Sequence, residues 1–430
     1  MENVSFERRW DNKKMPLGIY VSVPFCRTKC SYCNFASDVF SGVVFARYVD
    51  RVCADIESAT QIAARMGGQM ESNVDSIYLG GGTPTVLEGA QLEQVFAAVR
   101  RHFDVNPQAE ITVECAPGTL NNAMLESLLR CGVNRVSFGV QSFVDQEAAA
   151  VGRLHKRATV LNDVSRLRAA GITNFNIDLI AGLPHQTADS WNFSLAETIA
   201  AGAPHVSVYM LEVDEDSRLG SEVLAGGKRY HAHFVPDEDA VADFYLEACE
   251  RFQSAGIEQY EISNFAREGF QSQHNLKYWT RQPYFGFGVD AHSMLSTIDR
   301  KGHEFTRAAK TLAQEQCISH CEAEAVRFSA PDSLEQFVAH GHLRPSLVSC
   351  NAALEESFFL GLRLNAGVNL PELSSRFGND AIVQFEPTIA EFVAAGLLER
   401  RNDSIRLTSR GRLLSNEVFE RFILTEQVSR

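Results

Sequence analysis

Six short runs of aliphatic, β-branched and aromatic residues recur along the first half of the chain, at 18–23, 74–79, 110–114, 135–140, 174–180 and 205–211. Between them lie longer amphipathic stretches at 45–66, 89–102, 122–131, 158–170 and 190–201. Apolar runs of strand length alternating with helical stretches predict parallel β/α units. Six such units fit an α/β fold, a partial (β/α)6 barrel open on one side, with its functional groups expected at the C-terminal ends of the strands. From about residue 350 the pattern changes. Stretches 354–364, 370–377 and 382–395 read as helices, and 397–401 with 404–408 read as a hairpin around Asn402-Asp403. Helices followed by a two-stranded wing predict a smaller, winged-helix-like α+β domain. The chain is therefore divided into an N-terminal extension (1–16), a barrel core (17–300), a connecting segment (301–349) and a C-terminal domain (350–430).

Composition narrows the function. A chain of 430 residues, 45% hydrophobic and 22% charged, is long enough for a barrel plus one smaller domain and is not an extended disordered protein. Its formal net charge of −14 argues against nucleic acid or an anionic membrane as a global partner, since both demand a positive face. The C-terminal module lacks a dense basic helix, so docking or homodimer formation is expected of it rather than DNA binding. No segment approaches the ~18 apolar residues of a membrane span. Arg8-Arg9 is not followed by the apolar region of an export signal, and ten cysteines without paired spacing favour a reducing compartment, so a cytoplasmic protein is expected.

Directly after the first predicted strand come Cys26, Cys30 and Cys33, in C-x3-C-x2-C order. Cubane iron–sulfur clusters are held by cysteine thiolates, normally four. Three leave one iron open, as a catalytic site leaves a position for a ligand. A zinc knuckle would want a fourth Cys or His nearby, and the next cysteine is Cys53. Reduced core cysteines are the remaining alternative.

The stretch from Gly18 through Tyr20, Pro24 and Phe25 to Cys33, with Tyr32 before the third cysteine, resembles the signature of radical S-adenosylmethionine (SAM) enzymes, and within them the coproporphyrinogen-oxidase-like branch. The resemblance spans about residues 16–422. It implies a [4Fe-4S] cluster on Cys26, Cys30 and Cys33 whose open iron chelates SAM, which one electron cleaves to methionine and a 5′-deoxyadenosyl radical. The cofactor carries that chemistry and the protein positions it.

Polar groups collect at the predicted strand ends: Gly80-Gly81-Gly82-Thr83-Pro84 after the second, Glu114 after the third, Gly139-Val140-Gln141 after the fourth, Asp178 on the fifth. Singly, the glycines read as a turn and the carboxylates as solvated or capping groups. Together they resemble the family's SAM pocket. On that resemblance Gly81, Gly82 and Thr83 approach the methionine amino group, and Tyr20 and Tyr32 line the cluster side. Glu114, Gln141 and Asp178 bind the rest of SAM, and Arg153 pairs with its carboxylate.

A second constellation, His274-Asn275-Leu276-Lys277-Tyr278-Trp279, places a histidine and a tyrosine four residues apart, on one helix face. By itself this is an ordinary packed histidine. It also resembles the haem-binding H-N-x-x-Y-W motif of the haem chaperones in this branch, which makes His274 the expected haem ligand. Tyr284 to Ser293 resembles the family's glycine-rich stretch. The chain departs from the family at Ser22, where histidine is common, and at Asp290, where a small residue is usual.

Three functions compete. One is a haem chaperone passing haem to membrane respiratory enzymes, peripheral to the inner membrane through a partner. A second is a coproporphyrinogen III dehydrogenase, which carries a further cysteine where this chain has Phe35. A third is a non-catalytic haem module with a vestigial cluster. Phe35 and the His274 motif favour the first over the second, and the intact cysteine triad argues against the third. Cys317 and Cys321 read as buried thiols, His231-Ala232-His233 as a solvated loop, and Arg400-Arg401 as a charged turn.

Overall fold

The structure is a computed structural model that describes residues 15–297, 306–316, 323–339 and 341–424. Strands β1 (Leu17–Val23), β2 (Asn73–Gly81), β3 (Asp104–Cys115), β4 (Arg135–Gln141), β5 (Asn174–Ala181) and β6 (His205–Met210) lie side by side in chain order, all parallel. Helices follow each of them, among them Gly89–His102, Asn122–Arg130, Arg157–Ala169 and Ala188–Ala200. The stretch expected as one helix at 45–66 is two, Gly42–Glu57 and Ala59–Arg65, because the chain turns at Ser58.

The sheet extends at both edges. Beyond β6 it gains β7 (Glu258–Gln259) and β8 (Asn264–Ala266), and beyond β1 it gains β9 (Tyr284–Gly288), β10 (His292–Ser296), β11 (Ala323–Ser329) and β12 (Arg344–Ser349). The last two strands fall inside the connecting segment, 301–349. The order β12-β11-β10-β9-β1-β2-β3-β4-β5-β6-β8-β7 leaves β12 and β7 as free edges among the described residues, so the barrel is open.

Period-2 alternation gives each barrel strand two faces. On one, Val21, Leu79, Val113, Phe138, Ile177 and Val208 are buried with the apolar faces of the helices, including Val52, Phe96, Leu128, Leu167 and Trp191. On the other, polar residues face the barrel interior. The register sets Tyr20, Tyr78, Thr112 and Arg135 in one row across β1–β4, and Glu114, Ser137, Asn176 and His205 in the next across β3–β6.

The C-terminal part has its own sheet, β13 (Val368–Asn369), β14 (Leu398–Arg401) and β15 (Ser404–Leu407), in the order β13-β15-β14. The hairpin turns at Asn402, whose φ of 52° is tolerated better by asparagine than by most residues. Arg400 and Arg401 thus lie in a strand rather than a turn. Leu354, Phe358, Ile389, Ile405 and Phe422 form a separate core, joined by Ile262 from beside the barrel.

Buried charges tie this module to the sheet. Arg281, in the chain just before β9, meets Glu324 of β11 at 3.1 Å and Glu356 of helix Cys350–Gly361 at 2.8 Å. Glu356 also takes Arg327 at 2.6 Å, and Arg376 closes on Glu324. Removing one member of a buried pair strands its partner at a cost of roughly 3 kcal/mol. Glu356→Ala is therefore expected to lower stability by about that amount, read as a fall in urea midpoint, while Glu386→Ala, whose pair with Arg400 is exposed, changes it little.

Candidate functional site

A cavity of about 650 Å³ opens at the C-terminal ends of the barrel strands. Its upper wall is the cysteine loop. Pro24 ends β1, and Phe25 anchors the start of the loop by stacking on Phe45 (4.1 Å between centroids) and packing edge-on to Tyr48. The Cys26 amide donates to Asp38 O at 3.0 Å, and Lys29 Nζ donates to the carbonyls of Phe35 and Ser37, both at 2.7 Å. Thr28 Oγ1 donates to Gly152 O at 2.9 Å, which fastens the loop to the chain after β4.

Each thiol has a polar neighbour. Thr83 Oγ1 donates to Cys26 Sγ at 3.9 Å, Arg153 Nη1 donates to Cys30 Sγ at 3.6 Å, and Ser37 Oγ lies 4.0 Å from Cys33 Sγ. Donors of this kind stabilise thiolates that carry a cluster. Among the described residues, no three His, Cys, Asp or Glu side chains gather around a point that one ion could occupy. A cubane takes its thiolates at separate corners, so three sulfurs spread along one loop, with hydrogen-bond support, suit it.

The glycine turn after β2 faces this loop. Gly82 N donates to Val23 O and Thr83 N to Phe25 O, both at 2.7 Å. A Cβ on Gly82 would come within 2.7 Å of those same two carbonyls, and Gly81 has a φ of 94°, so side chains are excluded by contact at one position and by backbone at the other. Gln141 ends β4 in the left-handed region, φ 69°, with its Oε1 buried and unpartnered. An unpaired buried acceptor at a strained backbone position is what a ligand donor would complete. Arg153 donates to Gly139 O and to Cys30 Sγ, and the thiols and Tyr32 around it keep it charged despite its burial.

Glu114 and Asp178 form a carboxyl pair inside the cavity. Burial first, and Asp178 second, push Glu114 up to about 7, against the pull of the Tyr78 hydroxyl that donates to it at 2.8 Å. Asp178 is also raised by burial, while Asn176 Nδ2 at 2.7 Å and Ser137 Oγ at 3.1 Å donate to it.

Eleven of the thirteen expected site residues line this cavity: the three cysteines, Tyr32, Gly81, Gly82, Thr83, Glu114, Gln141, Arg153 and Asp178. Tyr20 and His274 do not. The Tyr20 ring lies 6.2 Å from Tyr78 and 6.3 Å from His274. His274 belongs to helix Gln273–Trp279, which seals the opposite end of the barrel. There Lys277 Nζ bonds Pro16 O at 2.8 Å, beside the start of β1, and Asp75 at 2.7 Å, near the start of β2. Glu110 accepts from the Gln273 and His274 amides. The His274 ring is 1% exposed, with Nδ1 3.1 Å from Ser76 Oγ and Nε2 2.9 Å from Tyr278 OH. His274 and Tyr278 do share a helix face, but they touch edge-on and leave no slot for a porphyrin between them. Burial and Lys277 hold the ring neutral, down to about 3.

Other cavity residues escaped the sequence reading: Tyr78, Arg135, Asn176, His205, Ser207 and Tyr209, then Arg363, Ser415 and Asn416 from the C-terminal module. The barrel members follow a legible signal, since Arg135-x-Ser137, Asn176-x-Asp178 and His205-x-Ser207-x-Tyr209 alternate with apolar residues. Nothing local marks the C-terminal three. His231 and His233 are exposed, as expected of a solvated segment, with His231 also meeting His185 at 3.0 Å; Asp290 has a φ of 56°, and Arg8, Arg9, Cys317 and Cys321 lie outside the described residues. Among the described residues no helix is long and apolar enough to cross a membrane, and Cys26, Cys30, Cys33, Cys53, Cys115, Cys131 and Cys249 are free thiols.

An open β/α barrel whose first strand runs into a three-cysteine loop opposite a glycine turn has the form of a radical SAM protein. The Radical SAM superfamily model matches residues 20–195, and the HemN C-terminal domain model matches residues 348–414. The chain is 31% identical over 405 residues to heme chaperone HemW of Bacillus subtilis, covering 94% of this chain and 98% of that one. It is 30% identical over 413 residues to heme chaperone HemW of Escherichia coli, covering 96% and 99%. The solved coproporphyrinogen III oxidase (HemN) of Escherichia coli, a radical SAM enzyme, superposes with a TM-score of 0.76 at 22% identity, over 95% of this chain and 90% of that one. The chain belongs to the HemW family, in the oxygen-independent coproporphyrinogen-oxidase-like branch of the radical SAM superfamily.

The carboxyl pair makes stability depend on pH. In the fold Glu114 keeps its proton up to about 7, whereas the unfolded chain releases it near ~4.3. The folded state binds more protons across that window, so its advantage is present below ~4 and is lost as pH rises toward 7. Glu114→Gln is expected to raise the melting temperature of SAM-free protein above about pH 7 and to flatten its decline from about pH 5 to about pH 8, measured by scanning calorimetry.

Proposed function

We propose that this protein is a haem chaperone: it binds haem and delivers it to haem-accepting membrane respiratory proteins, carrying a [4Fe-4S] cluster and SAM. The observation that carries this reading is the convergence of the cysteine loop, the glycine turn and the Glu114–Asp178 pair on one cavity, in a chain of full-length HemW likeness. Cys26, Cys30 and Cys33 hold the cluster. Gly81, Gly82 and Thr83 take the methionine amino group, Arg153 its carboxylate, and Glu114, Gln141 and Asp178 the remainder of SAM. The bound cluster supplies one-electron cleavage of SAM. The protein's own part is to fix orientation and to exclude water around the carboxyl pair.

Phe35 sets this reading against coproporphyrinogen oxidation. It stands 64% exposed at the mouth of the cavity, where a dehydrogenase of this branch would carry a further cysteine. Haem ligation is assigned to His274, and it requires a rearrangement. In the tautomer protonated at Nδ1, the Nε2 lone pair that iron needs is occupied by the Tyr278 hydroxyl. Neutrality favours ligation, and release of Tyr278 is the step that opens the ring.

The test is anaerobic reconstitution of the cluster, followed by haem or coproporphyrinogen with SAM and reductant. Stoichiometric haem uptake without decarboxylated porphyrin is expected, and turnover to protoporphyrinogen would replace the chaperone by the dehydrogenase. Cys30→Ala should abolish the iron–sulfur absorbance. His274→Ala should weaken haem binding and Tyr278→Phe, which frees Nε2, should strengthen it, both with the cluster spectrum intact; haem affinity indifferent to both changes refutes the His274 assignment.

A further inference from the structure

Arg135 is the first residue of β4, and its side chain lines the cavity although it is only 2% exposed. Its neighbours in register, Thr112 on β3 and Asn174 on β5, carry no charge. Its Nε is buried with no hydrogen-bond partner, and its guanidinium forms no ion pair among the described residues. The carboxylates that share the interior take their hydrogen bonds from other groups, although Asp178 lies within reach of the Arg135 charge. Asp178 accepts from Asn176 and Ser137, Glu114 from Tyr78, and Glu110 from Ser272 and the amides that begin helix Gln273–Trp279. His205 has both ring nitrogens committed, to Asn176 at 2.7 Å and Tyr260 at 2.9 Å.

An arginine keeps its charge in any protein environment, so burial cannot be relieved by loss of a proton. A buried, unpaired guanidinium beside an open cavity is a receptor for an anion, and its planar fork matches a carboxylate. We infer that Arg135 binds a propionate carboxylate of a porphyrin that enters this cavity, an inference that rests on the haem-binding reading above and is independent of which residue ligates the iron. SAM carries the other candidate carboxylate. Its expected partner, Arg153, sits against Cys30 at the rim. Arg135 stands six residues down β4 from Gln141, roughly 20 Å along an extended strand.

The test compares mesoporphyrin IX with its dimethyl ester on the cluster-reconstituted protein, by fluorescence titration. Metal-free porphyrin removes axial ligation from the measurement. The wild type is expected to bind the diacid about ten- to a hundred-fold more tightly than the diester, the range of one charge-assisted pair. Arg135→Gln should abolish that preference while diester affinity stays unchanged, and Arg135→Lys should keep part of it. A diester bound as tightly as the diacid by the wild type overturns the inference without any variant. So does an Arg135→Gln protein that keeps the preference, or one that instead loses SAM affinity, which would give the carboxylate to SAM. A wild type that takes up SAM but neither porphyrin also overturns the inference; the haem reading itself fails separately, when the same protein takes up no haem.

Discussion

Parallel barrel strands that send apolar side chains outward to a ring of helices must send the alternate residues inward, and here those residues are polar. Every buried polar group then needs a partner, or its burial works against the fold. The interior meets that demand with a continuous network. Asn176 Nδ2 donates to Ser137, Asp178 and Ser207, at 2.7 to 2.9 Å. Asn176 Oδ1 faces His205, whose other nitrogen meets Tyr260. Ser207 passes the chain of bonds to Asn264, which reaches Glu261. Such a network fixes the strands' register, since a slip of one residue would bury apolar groups in the polar interior and expose polar groups to the helices. Three cavity residues keep an atom without a hydrogen-bond partner beside it, Arg135 at Nε, Gln141 at Oε1 and Arg363 at Nε.

The strand pattern was legible because parallel strands covered by helices are long apolar-rich segments, and most of the barrel spans were read to within a few residues. Helix Gly89–His102 and helix Leu370–Phe377 were read at their full extents, each carrying apolar residues at helical spacing. The edge strands β10 to β12 were not legible, because an antiparallel edge strand such as Arg344–Ser349 mixes exposed and buried positions and lies in a stretch without helical rhythm. The rim of the site could be read because cysteine spacing and glycine turns are local signals. Deeper in, alternation marks Arg135 and His205 as interior-facing, but that they share one cavity with Arg363 follows only from strand register and the docking of the C-terminal module.

His274 shows the limit of a local motif. Helical spacing does place it on one face with Tyr278, as read. What spacing cannot convey is that Glu110 caps the helix and Lys277 anchors it to the base of β1, so the whole segment plugs the barrel floor. A histidine there stacks on Tyr78 at 5.4 Å, and Tyr78 in turn donates to Glu114. The aromatic layer of Tyr20, Tyr78 and His274 thus connects the sealed end of the barrel to the carboxyl pair at the open end. Tyr78 touches both His274 and Glu114, so one shared ring gives the two ends of the barrel a contiguous physical contact.

The same cavity is walled on one side by the C-terminal module, through Arg363, Ser415 and Asn416. Arg363 covers Trp279 at 4.3 Å and pairs with Glu261 at 3.6 Å, so it belongs at once to the module, to the plug helix and to the interior network. Around the back, the Arg281–Glu324–Glu356 cluster clamps the module to the extended sheet. A ligand that fills the cavity contacts both parts and, by mass action, stabilises the docked arrangement over any in which they separate. Occupancy of the cavity and seating of the module are then linked: any change that draws Arg363 away from Glu261 and Trp279 would loosen the cavity wall.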